Sequence, residues 1–125
     1  MTSSQSEVDD VLRVWLASNP SVVGYVVINT DGIPIRHHEK LSRERAVHYT
    51  ALLTSFCAKA RQCMRELFTT DGELTTVRLR TKEGLEFITC QLISGYALIA
   101  IQNCTEKPYD NGDASQSAAP EGQEA

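Results

Sequence analysis

Two stretches of this chain are apolar on both faces, and they constrain the fold more than any other feature. Val22-Val23-Gly24-Tyr25-Val26-Val27-Ile28 is a nearly continuous run of β-branched and aromatic residues. Tyr96-Ala97-Leu98-Ile99-Ala100-Ile101 is a second run without polar alternation. A one-sided strand would alternate apolar with polar residues, so runs of this kind belong in the middle of a sheet. The two are expected to be neighbours, each needing cover above and below.

The rest of the chain supplies that cover. Val8, Val11, Leu12, Trp15 and Leu16 fall on one helical face, which predicts a helix over 4–18, opened by the capping-box pair Ser4 and Glu7 and stopped by Asn19-Pro20. Residues 33–38 follow the turn Asn29-Thr30-Asp31-Gly32 as the return strand of a hairpin, and Pro34 assigns that strand to an edge. A long helix is expected over 43–68, with Ser42 as N-cap, Leu41 stapled against Ala46, and Asp71-Gly72 as its stop. Its stripe runs through Ala46, Tyr49, Leu53, Phe56, Ala60, Cys63 and Leu67, widened by Leu52, Cys57, Met64 and Phe68. Strands are expected at 74–80 and 85–90 before the last one at 96–102, with Thr75, Val77 and Leu79 alternating against Thr76, Arg78 and Arg80. Joining these by hairpins gives an α+β fold of order α-β-β-α-β-β-β. Its five-stranded antiparallel sheet has strand order 2-1-5-4-3 and one helix on each face.

A length of 125 residues allows one domain, placed at 1–105. From Glu106 onward the chain has five acids, one base and almost no large apolar side chain, so 106–125 is expected to be a disordered acidic tail. Removing that tail from the totals of 16 acids and 12 bases leaves eleven of each. A neutral body offers no electrostatic footprint for nucleic acid or an anionic membrane. No run approaches the length of a membrane span. The start, MTSSQSEVDD, has neither the basic nor the apolar region of a secretory signal. The expectation is a cytosolic protein whose Cys57, Cys63, Cys90 and Cys104 are reduced thiols.

Chemistry is hard to find. His37 and His38 are neighbours on a strand, point to opposite faces, and cannot grip one metal together. His48 lies on the polar side of the long helix, and Cys57 and Cys63 lie on or near its apolar stripe, where a free Cys acts as a small hydrophobe. No G-x-S-x-G, P-loop, G-x-G-x-x-G or H-E-x-x-H pattern occurs, and no nucleophile is paired with a base. A non-enzymatic domain without cofactor or metal is expected.

Two features ask for a second chain. A 26-residue helix is roughly 39 Å long at 1.5 Å per residue, whereas a seven-residue strand spans only about 23 Å. Off its main stripe the helix carries a ridge of small residues, Val47, Ala51, Thr54 and Ala58, which would let another helix approach closely. The strand Leu74-Thr75-Thr76-Val77-Arg78-Leu79-Arg80 has no Pro or bulge to blunt it and leaves an open sheet edge, unless Arg78 and Arg80 act as protective charges. These residues are the candidate interface of a symmetric dimer with paired edges and antiparallel long helices.

The chain also resembles a known family. The segment from Val23 to Ile35, VGYVVINTDGIPI, is similar to the first hairpin of roadblock-type dynein light chains. Tyr49, Leu52, Ser55-Phe56 and Lys59-Ala60-Arg61 resemble their long helix. Leu74-Thr75, Val77 to Lys82 and the closing Ile99, Ile101-Gln102-Asn103 resemble their last strands. The resemblance runs from about Val8 to Glu106 and does not extend to the tail. It implies the fold above and a homodimer whose two sheets join into one of ten strands. It further implies a light-chain role in the dynein motor: binding the dynein intermediate chain and supporting cargo attachment on microtubules, in the cytoplasm or a cilium. The alternative it leaves is a scaffold or regulator of a small GTPase, with that GTPase or a cargo adaptor as partner.

Overall fold

The computed structural model describes residues 2–68 and 73–105, the side chains of 2–6 and 93 apart. Its elements are α1 (Thr2–Ser18), β1 (Val22–Ile28), β2 (Pro34–His37), α2 (Arg43–Leu67), β3 (Thr76–Arg80), β4 (Leu85–Gln91), a single 3-10 turn at Ile93–Gly95, and β5 (Ala97–Asn103). The five strands form one antiparallel sheet in the order β2-β1-β5-β4-β3. The two doubly apolar strands are neighbours, with Tyr25 opposite Ala100 and Val26 opposite Ile99.

Several boundaries differ from the sequence reading. The first helix begins at Thr2, so Ser4 lies inside it rather than at its N-cap. The second strand shortens from 33–38 to Pro34–His37, and the third begins at Thr76, leaving Leu74 and Thr75 ahead of it. Asp71-Gly72 and the tail expectation for 106–125 lie outside the described residues. The long helix ends at Leu67, where the Phe68 N–H donates to the Met64 carbonyl at 2.8 Å.

The core forms where β1 and β5 meet α2. Val26, Ile28, Ile99 and Ile101 project from the sheet against Leu41 and Ala46, all nearly or fully buried. Ser42 accepts the Arg45 N–H at 3.1 Å and so starts α2 on one donor that the helix cannot satisfy itself. That cap fixes Leu41 just before the helix, where it fills the floor of the core. Gly24 makes room for it: a Cβ there would stand 3.2 Å from Ile101 Cδ1 and 3.5 Å from Leu41 Cδ1. Inside α2, Thr50 is buried and satisfies its hydroxyl by donating to the Ala46 carbonyl at 2.8 Å. Tyr49 meets Phe87 of β4 edge-on with ring centroids 5.4 Å apart.

The opposite face of the sheet carries Tyr25, and α1 packs there. Trp15 stands edge-on to Tyr25 at 6.1 Å, and Arg36 Nε of β2 lies 3.0 Å from Asp9 Oδ1 of α1. Leu12, Trp15 and Leu16 are half-buried, while Val11 and Val14 face outward. The first helix thus sits over the β1–β2 corner. The last turn before β4 is fixed by Gly84, whose φ of +91° is the left-handed conformation that other residues resist, and a Cβ there would collide with Thr105 Cγ2.

Ile99 is fully buried at the centre of this core. Ile99→Ala is therefore expected to destabilise the fold by about 2–5 kcal/mol, read as a lower urea midpoint with an unchanged slope. A loss under about 0.5 kcal/mol, the size of a surface substitution, would mean that the core is not centred there.

Candidate functional site

The open edge of the sheet is β3. Thr75 accepts the Gln91 N–H at 2.9 Å, and Thr81 donates its N–H to Leu85 at 2.8 Å. These two bonds set the alternation of the antiparallel ladder. Val77 and Leu79 pair inward with Thr89 and Phe87, whereas the backbone groups of Thr76, Arg78 and Arg80 point away from β4. Among the described residues nothing pairs with them. The register of β3 and β4 is continuous, with no bulge to turn the edge aside.

The side chains of β3 divide by face. Val77 and Leu79 share the α2 side with Thr89 and Phe87. Arg78 and Arg80 lie on the other side and turn inward to Glu86, which is buried. Arg78 donates Nε to Glu86 Oε2 at 3.1 Å and Nη2 to Oε1 at 3.0 Å, a bidentate pair. Arg80 Nη2 lies 3.7 Å from Oε1, and the Cys104 thiol donates to the same oxygen at 3.6 Å. One carboxylate on the neighbouring strand thus offsets half of the charge of the two arginines and draws both toward Glu86.

The flanks of α2 differ in what they offer. Tyr49 reaches β4, so the flank that carries it looks toward β4 and the β3 edge. Leu52, Phe56, Cys63 and Leu67 lie within roughly 60° of Tyr49 around the helix at about 100° per residue. The stripe read from the sequence was expected to be buried, but Leu52 is 56% exposed, Phe56 45% and Leu67 70%. Cys63 is exposed as well, and only Cys57 behaves as a buried small hydrophobe. These residues leave apolar surface exposed on the flank of α2 that carries Tyr49, the side of α2 nearer β4 and β3. The small-residue ridge Val47, Ala51, Thr54 and Ala58 is also exposed, but it lies on the opposite flank, away from β3. The signal in the sequence was the width of the apolar stripe, which exceeds what one sheet face can cover.

The two histidines at the end of β2 have structural partners. His38 packs edge-on against Tyr25 at 5.7 Å, and its Nδ1 accepts the Lys40 N–H at 3.0 Å. His37 Nδ1 lies 3.1 Å from the His38 carbonyl. Burial pushes the His38 pKa below its ordinary value, with Glu39 opposing and Lys40 assisting. The Arg78 hydrogen bond holds the Glu86 carboxyl below the usual glutamate range against its own burial. Among the described residues no three His, Cys, Asp or Glu side chains converge as metal ligands, and no helix is long and apolar enough to cross a membrane. A cavity of about 160 Å³ lies between the second half of α2 and the sheet end formed by the β1–β2 and β4–β5 turns.

A five-stranded antiparallel sheet in the order β2-β1-β5-β4-β3, with one helix on each face, defines an α+β domain. The Roadblock/LC7 domain profile matches residues 8–103. The chain belongs to that family. Its fold is similar to the crystal structure of a Roadblock/LC7 domain from Streptomyces avermitilis, at 20% sequence identity and a TM-score of 0.58, over 67% of this chain and 68% of that one.

Both shifted groups weaken the fold in acid, in separate windows. His38 binds its proton less tightly folded than unfolded, so its contribution is complete above about pH 6.5 and declines as pH falls toward its lowered value. Glu86 contributes above the ordinary glutamate range and loses that contribution as pH falls through its own lowered value. Urea midpoints measured against pH should decline in both windows. His38→Phe should flatten the upper one and Glu86→Gln the lower. A midpoint insensitive to pH through both would refute these assignments.

Proposed function

We propose that this protein is a non-catalytic, homodimeric docking subunit that binds the dynein intermediate chain as a light chain of the motor. The observation that carries the dimer is the exposed apolar flank of α2 on the side of an unpaired strand. Leu52, Phe56 and Cys63 of α2 stand on the flank nearer β3, the strand with the outward backbone groups of Thr76, Arg78 and Arg80. A second copy satisfies both at once. An antiparallel β3–β3 pairing about a two-fold axis joins two five-stranded sheets into ten strands and brings the two exposed ridges together. The α2 contact is placed on the Leu52–Phe56–Cys63 flank rather than on Val47, Ala51, Thr54 and Ala58, because only the first lies on the same side as the edge.

The intermediate-chain reading rests on the resemblance of the VGYVVINTDGIPI hairpin and the last strands to roadblock-type dynein light chains. The structure contributes a surface of suitable character. On the α1 face, Ile88, Cys90 and Leu98 are half-buried by register beside the corner that α1 covers. Val8, Val11 and Val14 of α1 are exposed close by. An amphipathic segment with spaced apolar anchors fits such a face. A dimer presents it twice, which favours a bivalent partner. The proposed setting is cytoplasmic, with the dynein complex on microtubules or in a cilium.

Light scattering should give twice the 13.8 kDa chain mass at micromolar concentration. Thr76→Pro deletes an outward N–H without touching the β3–β4 ladder, and Phe56→Asp puts a charge on the apolar flank of α2. Each should shift the protein toward monomer while its circular dichroism stays native. A wild-type monomer at that concentration would sink the dimer. Calorimetry with intermediate-chain peptides should show a negative heat-capacity change and weak salt dependence. Tight, nucleotide-dependent binding to a small GTPase, without binding to any intermediate-chain segment, would replace the motor reading by the scaffold one.

A further inference from the structure

The cavity beneath the second half of α2 is not needed for dimerisation or for docking on the α1 face. It is lined by Leu53, Thr54, Cys57 and Arg61 from α2, by Asn29 and its turn, and by Thr89, Gln91 and Ile99 from the sheet. At about 160 Å³ it could hold some five waters at roughly 30 Å³ each. Two features separate it from a packing defect. Thr89 is only 7% exposed as a residue and lines the cavity. Its hydroxyl makes no hydrogen bond among the described residues and is not a fully buried unpartnered atom, so it is open to the cavity. Arg61 is half-buried in the same wall, with no ion pair or hydrogen bond among the described residues. Among the described residues the lining contains no acid. Every other polar lining group, Asn29, Thr30, Thr54, Cys57 and Gln91, is neutral.

A cation and an unbonded hydroxyl that line one partly desolvated space, with no carboxylate among the described lining residues, favour an anion that can accept from both. The Arg61 fork suits two oxygens on one centre, and the Thr89 hydroxyl suits one more. We propose that this cavity is a binding site for a small oxyanion, a carboxylate or phosphate group, held between Arg61 and Thr89. The site is independent of the proposed motor role, because none of its residues lies on the Leu52–Phe56–Cys63 flank or on the α1 face.

The test uses the full chain. Phosphate and acetate are titrated separately at constant ionic strength, with chloride as the matched control, and backbone amide shifts are followed by NMR. Saturable shifts should appear at Thr89, Gln91, Gly95 and Asn29 with an oxyanion and not with chloride. Arg61→Gln should weaken binding about tenfold or more, as expected for the loss of a charge-assisted bond. Thr89→Val, which keeps the shape and removes the hydroxyl, should weaken it less. Cys57 supplies a second readout, because it is buried and lines the cavity. Its alkylation should slow when phosphate or acetate saturates the wild type and should not respond in Arg61→Gln. Saturation by both anions supports a general oxyanion site, and saturation by one identifies its chemistry. Shifts that grow linearly, that chloride reproduces, or that survive Arg61→Gln unchanged would overturn the proposal.

Discussion

The pairing of β1 with β5 is the interaction on which the other elements depend. Val26 and Ile99 are directly opposite and fully buried, and Tyr25 and Ala100 beside them are buried on the reverse side. A two-strand ribbon that is apolar above and below is unstable unless both surfaces are covered. That need draws α2 to one side and α1 to the other, and it sends the more polar strands outward. Leu41 and Gly24 show how closely α2 is seated. The helix is capped at Ser42 so that the residue before it enters the core, and the strand beneath carries no Cβ where Leu41 approaches. Burying Leu41 offsets part of the cost of ordering the loop between β2 and α2.

Covering the centre leaves the periphery incomplete, and the interaction surfaces follow from that. A 25-residue helix crosses a sheet whose longest strands have seven residues. It satisfies the core with Ala46, Thr50, Leu53 and Cys57 and has apolar circumference left over. The excess falls on the side of Tyr49, toward β4 and the edge strand β3. An exposed helix ridge or an open edge alone has ordinary explanations. Together, on one side of one chain, they are the basis of the proposed pairing with a second copy. The inward ion pairs sharpen the point: charges on an edge strand usually repel another edge, but Arg78 and Arg80 are drawn to Glu86 and leave the backbone groups between them free to pair.

The fold was legible in the sequence because its strongest signals were binary. Strands apolar on both faces could only be central, Pro34 could only be at an edge, and hairpin links then left one strand order. Boundaries were less legible. Ser4 and Glu7 had capping spacing, yet the helix continues to Thr2, because spacing alone does not show which of several polar residues turns the chain. The candidate interface was half legible. The β3 edge could be read from a lack of Pro, and the alternation of Thr76, Arg78 and Arg80 gives the side that points away from α2. Which flank of α2 accompanies the edge could not be read, since a helical stripe fixes relative but not absolute orientation. One contact, Tyr49 against Phe87, supplies the missing rotation and moves the emphasis from the small residues to Leu52 and Phe56.

The sheet therefore separates three kinds of surface that the sequence alone mixes together. On the α2 side the uncovered groups are large, apolar and beside free backbone groups, a combination that rewards an identical neighbour. On the α1 side they are half-buried and interrupted by the Glu86 network, which suits a partner with a few spaced anchors. At the turn end, α2 and the sheet leave a space in which one arginine and one hydroxyl make no hydrogen bond among the described residues. These surfaces involve different residues, so the proposed dimer, docking and anion contacts need not block one another. Coupling between them would have to pass through α2, the one element that carries the exposed apolar flank and also lines the cavity. Leu52 and Phe56 belong to the first while Thr54, Cys57 and Arg61 line the second. A rotation of α2 about its axis that buried the ridge more deeply would move Arg61 relative to Thr89. Self-association and anion binding would then be linked reciprocally through a single helix.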